Sequence, residues 1–300
     1  MFDTTPLLDC NGRALKLGGP RICGILNLTE DSFSGDGLAG DIDAAVARGV
    51  AMVEEGAALL DIGAESTRPG AEPVADAEEL ARLLPVVEAL AKRVEVPISV
   101  DTSKPDVMRA AVGAGAGFIN DVYGLRCEGA LEAAAELKVP VCLMHMQGEP
   151  RTMQQDPHYD DVVGEVHRFL AERIFACEMA GIDKRRVLVD PGFGFGKMLE
   201  HNLALLRALE RFRDLAAGVF VGLSRKAMIG TLTGRSSGAE RAMGSAAAAM
   251  IAVQRGALIV RVHDVAATRD ALAVWQAVHE GDASVKKVER PFGSQRFGDD

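Results

Sequence analysis

The run Asp190-Pro191-Gly192-Phe193-Gly194-Phe195-Gly196-Lys197 has the residue types of a ligand-facing loop. It follows Val187-Leu188-Val189, too short for a helix and β-branched enough for a buried parallel strand. A strand that ends on a carboxylate offers two acceptor oxygens to paired N–H donors. Glycines let a ligand approach the backbone, and the two phenylalanines between them could form a wall over it. The loop is not a phosphate cradle of the P-loop kind: Pro191 stands five before Gly196, and Met198 follows the lysine. Its G-x-G-x-G spacing also misses the G-x-G-x-x-G of a dinucleotide site. Locally, a helix-capping aspartate before a flexible loop would read the same way.

Other apolar runs end in the same fashion. Asn27 follows the first, Asp61 and then Thr67, Arg68 and Pro69 the second, Asp101 the third and Asn120 the fourth. Met144 and His145 close the fifth, Gly222, Ser224 and Lys226 follow the seventh, and Arg261 and His263 lie at the eighth. Asp101, Asn120 and Asp190 offer acceptors and an amide, which suits a planar heterocycle with adjacent N–H groups. Arg68, Lys226, Arg261 and His263, with Asn27, suit a phosphate or diphosphate. His145 and His263 could share a metal, but no third strong ligand is evident, and the His-x-His of amidohydrolase barrels is replaced by Leu26-Asn27-Leu28. His158, His167, His201 and His279 are read as structural. Any one of these polar residues could be a cap. Polar side chains at all eight ends point to a small-molecule site.

The elements that position these residues alternate. Expected strands are Ile22–Leu26, Leu59–Ile62, Ile98–Val100, Phe118–Ile119, Val139–Met144, Val187–Val189, Val219–Val221 and Leu258–Val262. Expected helices are Ile42–Glu55, Asp76–Arg93, Pro105–Gly113, Ala130–Leu137, Tyr159–Ala180, His201–Phe212, Ala239–Gln254 and Ala266–His279. Gly56, Gly113, Gly181 and Gly256 fit the position just past a helix, and Pro105 fits a first turn. Eight βα units predict an α/β fold, a (β/α)8 TIM barrel with active-site loops at the C-terminal strand ends. The competing architecture is an open doubly wound sheet. Asn11-Gly12 between apolar flanks predicts an N-terminal β-hairpin over Leu7–Leu17. One domain is expected over 1–280, with a loosely ordered tail at 281–300.

Composition excludes several classes. A net charge of −10 argues against nucleic acid as a main partner. The longest apolar run, Ala246–Val253, is too short to span a membrane, and the charges of Asp3, Asp9, Arg13 and Lys16 within Met1–Pro20 argue against a signal peptide there. Five scattered cysteines with no C-x-x-C suit a reducing cytoplasm, with Cys23 and Cys142 as small core residues.

In combination the motifs resemble those of the dihydropteroate synthase family. They are Asn27…Asp31-Ser32-Phe33-Ser34, Asp61-Ile62-Gly63…Glu65-Ser66-Thr67-Arg68-Pro69-Gly70, Ser99-Val100-Asp101-Thr102, Ile119-Asn120-Asp121-Val122, the Asp190–Lys197 loop, Gly222-Leu223-Ser224-Arg225-Lys226 and Arg261-Val262-His263-Asp264. The match runs from about Arg21 to His279. The resemblance implies a homodimer that joins 4-aminobenzoate to (7,8-dihydropterin-6-yl)methyl diphosphate, giving 7,8-dihydropteroate and diphosphate in folate biosynthesis. It implies Mg2+ as the ion and competition by sulfonamides. It assigns the pterin to Asp101, Asn120, Asp190 and Lys226, with Arg261 against the pterin plane and the diphosphate. It gives the diphosphate to His263 and, through Mg2+, to Asn27. It puts Thr67, Arg68, Pro69, Phe33, Phe195 and Ser224 around the aminobenzoate, with Gly222 and Met144 also lining the site.

The chain departs from the family pattern at Gly35-Asp36-Gly37, where the aspartate sits one position later, and at Glu30 and Met198. Two other readings share the features. A methyltetrahydrofolate-dependent methyltransferase would also seat a pterin on strand-end Asp and Asn, but needs neither Lys226 beside Ser224-Arg225 nor the Ser-Thr-Arg-Pro-Gly loop. A catalytically silent pterin-binding paralogue should have lost residues such as Asn27, Asp31, Thr67 or Arg68, which are present.

Overall fold

The computed structural model describes residues 6–29, 38, 40–67 and 70–280. A hairpin of β1 (Leu7–Cys10) and β2 (Arg13–Lys16) turns through Asn11-Gly12, both at positive φ. Eight parallel strands then close into a barrel: β3 (Arg21–Asn27), β4 (Leu59–Gly63), β5 (Ile98–Asp101), β6 (Phe118–Asp121), β7 (Val141–Met144), β8 (Val187–Asp190), β9 (Gly218–Val221) and β10 (Ala257–Val262). The last pairs with both β9 and β3, so no sheet edge remains and the open doubly wound alternative is excluded.

Nine α-helices cover the barrel among the described residues: α1 (Ile42–Glu55), α2 (Asp76–Ala91), α3 (Pro105–Gly113), α4 (Ala130–Leu137), α5 (Val162–Met179), α6 (Leu199–Arg207), α7 (Ala227–Thr233), α8 (Ala242–Gln254) and α9 (Val265–Glu280). The extra one is α7. Its sequence, with Gly230 and two threonines, has poor helix propensity. Gly230 lets the Arg241 guanidinium pack closely, since a Cβ would lie 2.6 Å from it. Other boundaries move for local reasons. The fifth barrel strand begins at Val141 because Pro140 has no N–H to give the ladder. The following helix begins at Val162, where Asp161 accepts from Gly164 N at 3.0 Å and Glu165 reaches back to Asp161 N at 2.9 Å. Gly113 is the last residue of α3, and Gly115 takes the left-handed conformation expected of it.

The hairpin plugs the N-terminal end of the barrel. Leu8, Cys10 and Leu15 pack on a layer of inward side chains from seven strands: Cys23, Leu59, Phe118, Cys142, Leu188, Phe220 and Ile259. The contact is so close that a Cβ on Gly117 would lie 2.1 Å from the Cys10 carbonyl oxygen. Burial pushes the Cys23 and Cys142 thiols well above their ordinary range, so both behave as small apolar residues. With this end sealed, a ligand can enter the barrel only from the other. No helix among the described residues is long and apolar enough to cross a membrane.

Candidate active site

Side chains alternate along a strand, so the residues two beyond the apolar layer also face the barrel axis. They are Ile25, Asp61, Asn120, Met144, Asp190, Gly222 and Arg261, joined by Ser99 and Asp101 from β5. The parity of β4, β5, β6, β8 and β10 therefore places polar side chains directly above the apolar layer.

Arg261 organises it. Its Nε donates to Asp61 Oδ2 at 2.5 Å and its Nη2 to Asp101 Oδ2 at 2.8 Å. Asp61 is fully buried and also accepts from Ser99 Oγ at 2.5 Å and Asn120 Nδ2 at 3.0 Å. Asp61 thus positions both an amide and a guanidinium of the mouth, a role its place after an apolar strand did not by itself reveal. Its parity with Asn120 and Asp190 is the signal that could have found it. Two carboxylates share one cation here. Burial, opposed by Arg261 and reinforced by Asp61, pushes Asp101 up to about 7. Arg261 stays charged, because the two aspartates outweigh the cost of its burial.

Asp190 and Lys226 face each other across β8 and β9. Asp190 is buried, and its Oδ1 accepts from Gly192 N at 2.7 Å. Burial raises its carboxyl above the usual range, against the pull of Lys226 and that backbone bond. Lys226 donates to the Phe193 carbonyl and holds its ammonium 4.6 Å from the centre of the Phe195 ring. Burial lowers it to about 8, with Arg261 adding to the fall and Asp190 and Asp101 opposing it. Gly222 leaves space beside this amine, since a Cβ there would stand 3.9 Å from Nζ. Met144 lies opposite Asp190 in register and joins Val122, Met146 and Met153 in an apolar cluster against which Phe195 packs. Of the two loop phenylalanines, Phe195 is half-buried beside Lys226, whereas Phe193 is fully buried in the core.

At the β10 end, Ser224 Oγ accepts from His263 N at 3.1 Å and lies 2.9 Å from His263 Nδ1. His263 and Asn27 line a cavity of about 220 Å3, with Arg48 and Arg225 on its wall. Thr67 is half-buried in the loop after β4. That loop is tied down by Lys104, which bonds Glu65, Glu79 and the Val74 carbonyl, each at 2.6 Å. Phe33, Asp36, Arg68 and Pro69 lie outside the described residues.

His145 and His263 have separate partners, Lys197 for the first and Ser224 for the second. His145 is buried behind the β8 loop, with Nδ1 2.9 Å from Lys197 Nζ, and burial next to that lysine pushes it down to about 2. Among the described residues no group of three or more His, Cys, Asp or Glu could hold a metal. Asn27 has a different character. Its side-chain amide makes no hydrogen bond among the described residues, and it stands at the barrel mouth. Mg2+ keeps most of its waters and is commonly bound by one or two protein oxygens plus substrate phosphates. A single amide oxygen fits such an ion, and would not fit one that needs a full protein cage.

A family model described as pterin binding enzyme matches residues 23–263. The dihydropteroate synthase of Escherichia coli K12 is 52% identical over 270 residues, which are 90% of this chain and 95% of that protein. The structure of Xanthomonas albilineans dihydropteroate synthase with 4-aminobenzoic acid is 61% identical, with a TM-score of 0.86 over 92% of this chain and 99% of that one. That of the Yersinia pestis enzyme with a sulfonamide drug is 48% identical, with a TM-score of 0.89 over 91% and 99%.

Proposed function

The chain belongs to the dihydropteroate synthase family, and on that premise we propose how its own residues join 4-aminobenzoate to (7,8-dihydropterin-6-yl)methyl diphosphate. The activity is that of a transferase in folate biosynthesis. The observation that carries the assignment of roles is the polar layer in which Asp101, Asn120, Asp190, Lys226 and Arg261 converge over a sealed apolar floor.

Asp190 accepts the paired N–H donors of the pterin's aminopyrimidine edge, and Asn120, held by Asp61, supplies a fixed amide beside it. Lys226 donates to an acceptor on the pterin rim, and Asp101 accepts a ring N–H. Met144 and Phe195 cover the ring. Arg261 keeps Nη1 without a partner among the described residues, so it can reach the diphosphate while two aspartates fix its plane. His263 and Asn27 complete that end of the site. Bound at Asn27, Mg2+ would neutralise charge on the diphosphate oxygens.

The electron-rich dihydropterin ring can delocalise a cation at its exocyclic methylene. Departure of the diphosphate first, followed by attack of the arylamine, therefore asks little of a base. The protein's contribution is to stabilise the charge that leaves, through Arg261 and His263. Thr67, Ser224 and Phe195 line the aminobenzoate side, to which the family resemblance also assigns Phe33, Arg68 and Pro69, and a sulfonamide would compete there. The chain acts in the cytoplasm, a reading supported by its free cysteines. It pairs as a homodimer, which the exposed Met243 on α8 and Val278 on α9 support.

The test is turnover of 4-aminobenzoate with the pterin diphosphate, with and without Mg2+ and a sulfonamide. Dihydropteroate formation that needs both substrates and is inhibited competitively against 4-aminobenzoate is expected. Pterin binding without turnover would identify a silent paralogue instead.

A further inference from the structure

The lysine that ends the glycine-rich loop has no place among the roles above, yet it is among the most confined groups in the protein. Lys197 is 3% exposed. Its Nζ lies 2.9 Å from the Gly192 carbonyl oxygen, 3.0 Å from that of Phe195, 2.9 Å from His145 Nδ1 and 3.4 Å from the His145 carbonyl oxygen. Three hydrogens of an ammonium, or two donors and one acceptor of an amine, satisfy the three nearest of these partners, and the His145 carbonyl shares a hydrogen at longer range. Either way the amine closes a ring beneath the loop. Gly192 and Phe195 bracket the two features that hold Lys226, namely the Phe193 carbonyl and the Phe195 ring.

The loop cannot relax toward β7. A Cβ on Gly192 would lie 1.8 Å from the His145 carbonyl oxygen, and one on Gly196 would lie 2.3 Å from that of Gln147. Tyr159 adds a second tie, donating to the Gly196 carbonyl at 2.8 Å. Gly192 N in turn holds Asp190 Oδ1. Both ends of the Asp190–Lys226 pair therefore rest on a loop that Lys197 pins from below.

We propose that Lys197 is a positioning residue for the pterin site, acting through Lys226 and Asp190 by fixing the β8–α6 loop against His145. The inference rests on the assignment of Lys226 and Asp190 to the pterin. It separates Lys197 from a plain stabilising contact, because the loop sets how dry the Lys226 amine is. Asp190, Asp101 and Arg261 are the charged groups that act on Lys226. His145, Asp190 and Lys226 are those near Lys197. If the pin is removed, the loop lifts and water reaches Nζ. The burial that lowers Lys226 is relieved, and its titration rises toward that of an ordinary lysine.

The experiment measures pterin affinity by calorimetry on the full-length protein from about pH 6 to about pH 10, a range that spans the normal and lowered lysine values. Wild type, Lys197→Met and Tyr159→Phe are compared, with melting temperature recorded for each. In wild type, affinity should fall as pH rises through about 8. In Lys197→Met that limb should move up by about one pH unit, with affinity on the plateau lower by about tenfold. Tyr159→Phe removes only the second tie, so it should fold normally and move the limb in the same direction by less. A lower melting temperature with the limb and plateau unmoved in both variants would leave Lys197 a structural contact and overturn the proposal. Absence of the limb in wild type would instead overturn the Lys226 assignment, and the proposal with it.

Discussion

Replacing Asp61 by asparagine should weaken the enzyme in a way that depends on pH with a definite sign. The substitution keeps shape and removes one charge. Oδ2 accepts from both Arg261 Nε and Asn120 Nδ2, so the amide oxygen must stay on that side and the new NH2 must face Ser99 Oγ. The serine can turn its hydroxyl to accept, so that contact survives. The loss is concentrated at Oδ2, where two bonds to an anion become two bonds to a neutral oxygen. Bonds to charged groups contribute about 1.5–3 kcal/mol and neutral ones about 0.5–1.5, so the two together lose about 2–3 kcal/mol. Arg261 retains Asp101, which keeps the cost below that of an orphaned buried cation. In kcat/KM for the pterin diphosphate this is a fall of about 30- to 150-fold at the optimum.

The pH dependence follows from the neighbour. Asp61 helps to raise Asp101, and it competes with Asp101 for Arg261. Without that charge the Asp101 carboxyl titrates lower. The wild-type acid limb should lie near 7, and that of Asp61→Asn should lie below it. The deficit of the variant should therefore be smallest in mild acid and grow toward neutral pH. The assay is kcat/KM at saturating 4-aminobenzoate across the acid range, with a melting curve at each pH. A loss of the same factor at every pH, with the acid limb unmoved, would refute the coupling of Asp61 to Asp101.

Three further substitutions probe other parts of the mouth. Asp190→Asn exchanges one acceptor oxygen for a donor facing the pterin's N–H groups and should cost on the order of 2–4 kcal/mol of pterin affinity by calorimetry. Lys104→Met cuts the tie from the loop after β4 to Glu65 and Glu79, and should raise KM for 4-aminobenzoate by about tenfold while that for the pterin diphosphate changes little. Gly192→Ala combines φ of +72° with a Cβ 1.8 Å from the His145 carbonyl oxygen, and should lower stability by about 2 kcal/mol or more, read as melting temperature.

Much of this arrangement was legible in the sequence because a parallel barrel converts it into geometry by simple rules. Strands buried on both faces are short apolar runs, and the residue that breaks the run is the one at the mouth. Asp190, Asn120 and Asp101 were found in this way. Asp61 was seen at its strand end but not as the group that fixes Asn120 and Arg261, because a pairing across 200 residues has no local signature. Asp121 shows the opposite limit. It is adjacent to Asn120 and equally polar, yet strand parity turns it outward, where it accepts from Tyr123 N and Leu125 N and shapes the loop. The helix after Lys226 was missed because its propensity is poor and its reason for forming, the packing of Gly230 on Arg241, is tertiary.

The two lysines of the mouth make the same point in energetic terms. Lys197 and Lys226 are both buried and both lowered by it, so neither sequence position nor the direction of titration distinguishes them. Their partners do. Lys197 spends its hydrogen-bonding capacity on three carbonyls and an imidazole and has none left for a ligand. Lys226 has one carbonyl and the face of an aromatic ring, an arrangement that holds a cation in place while leaving donors to spare. A buried lysine with a filled shell fixes a loop, and one with an incomplete shell, reaching that loop from the turn between β9 and α7, keeps donors for a ligand. The glycine-rich segment thus needs both: one amine to make it rigid, and the rigidity to aim the other.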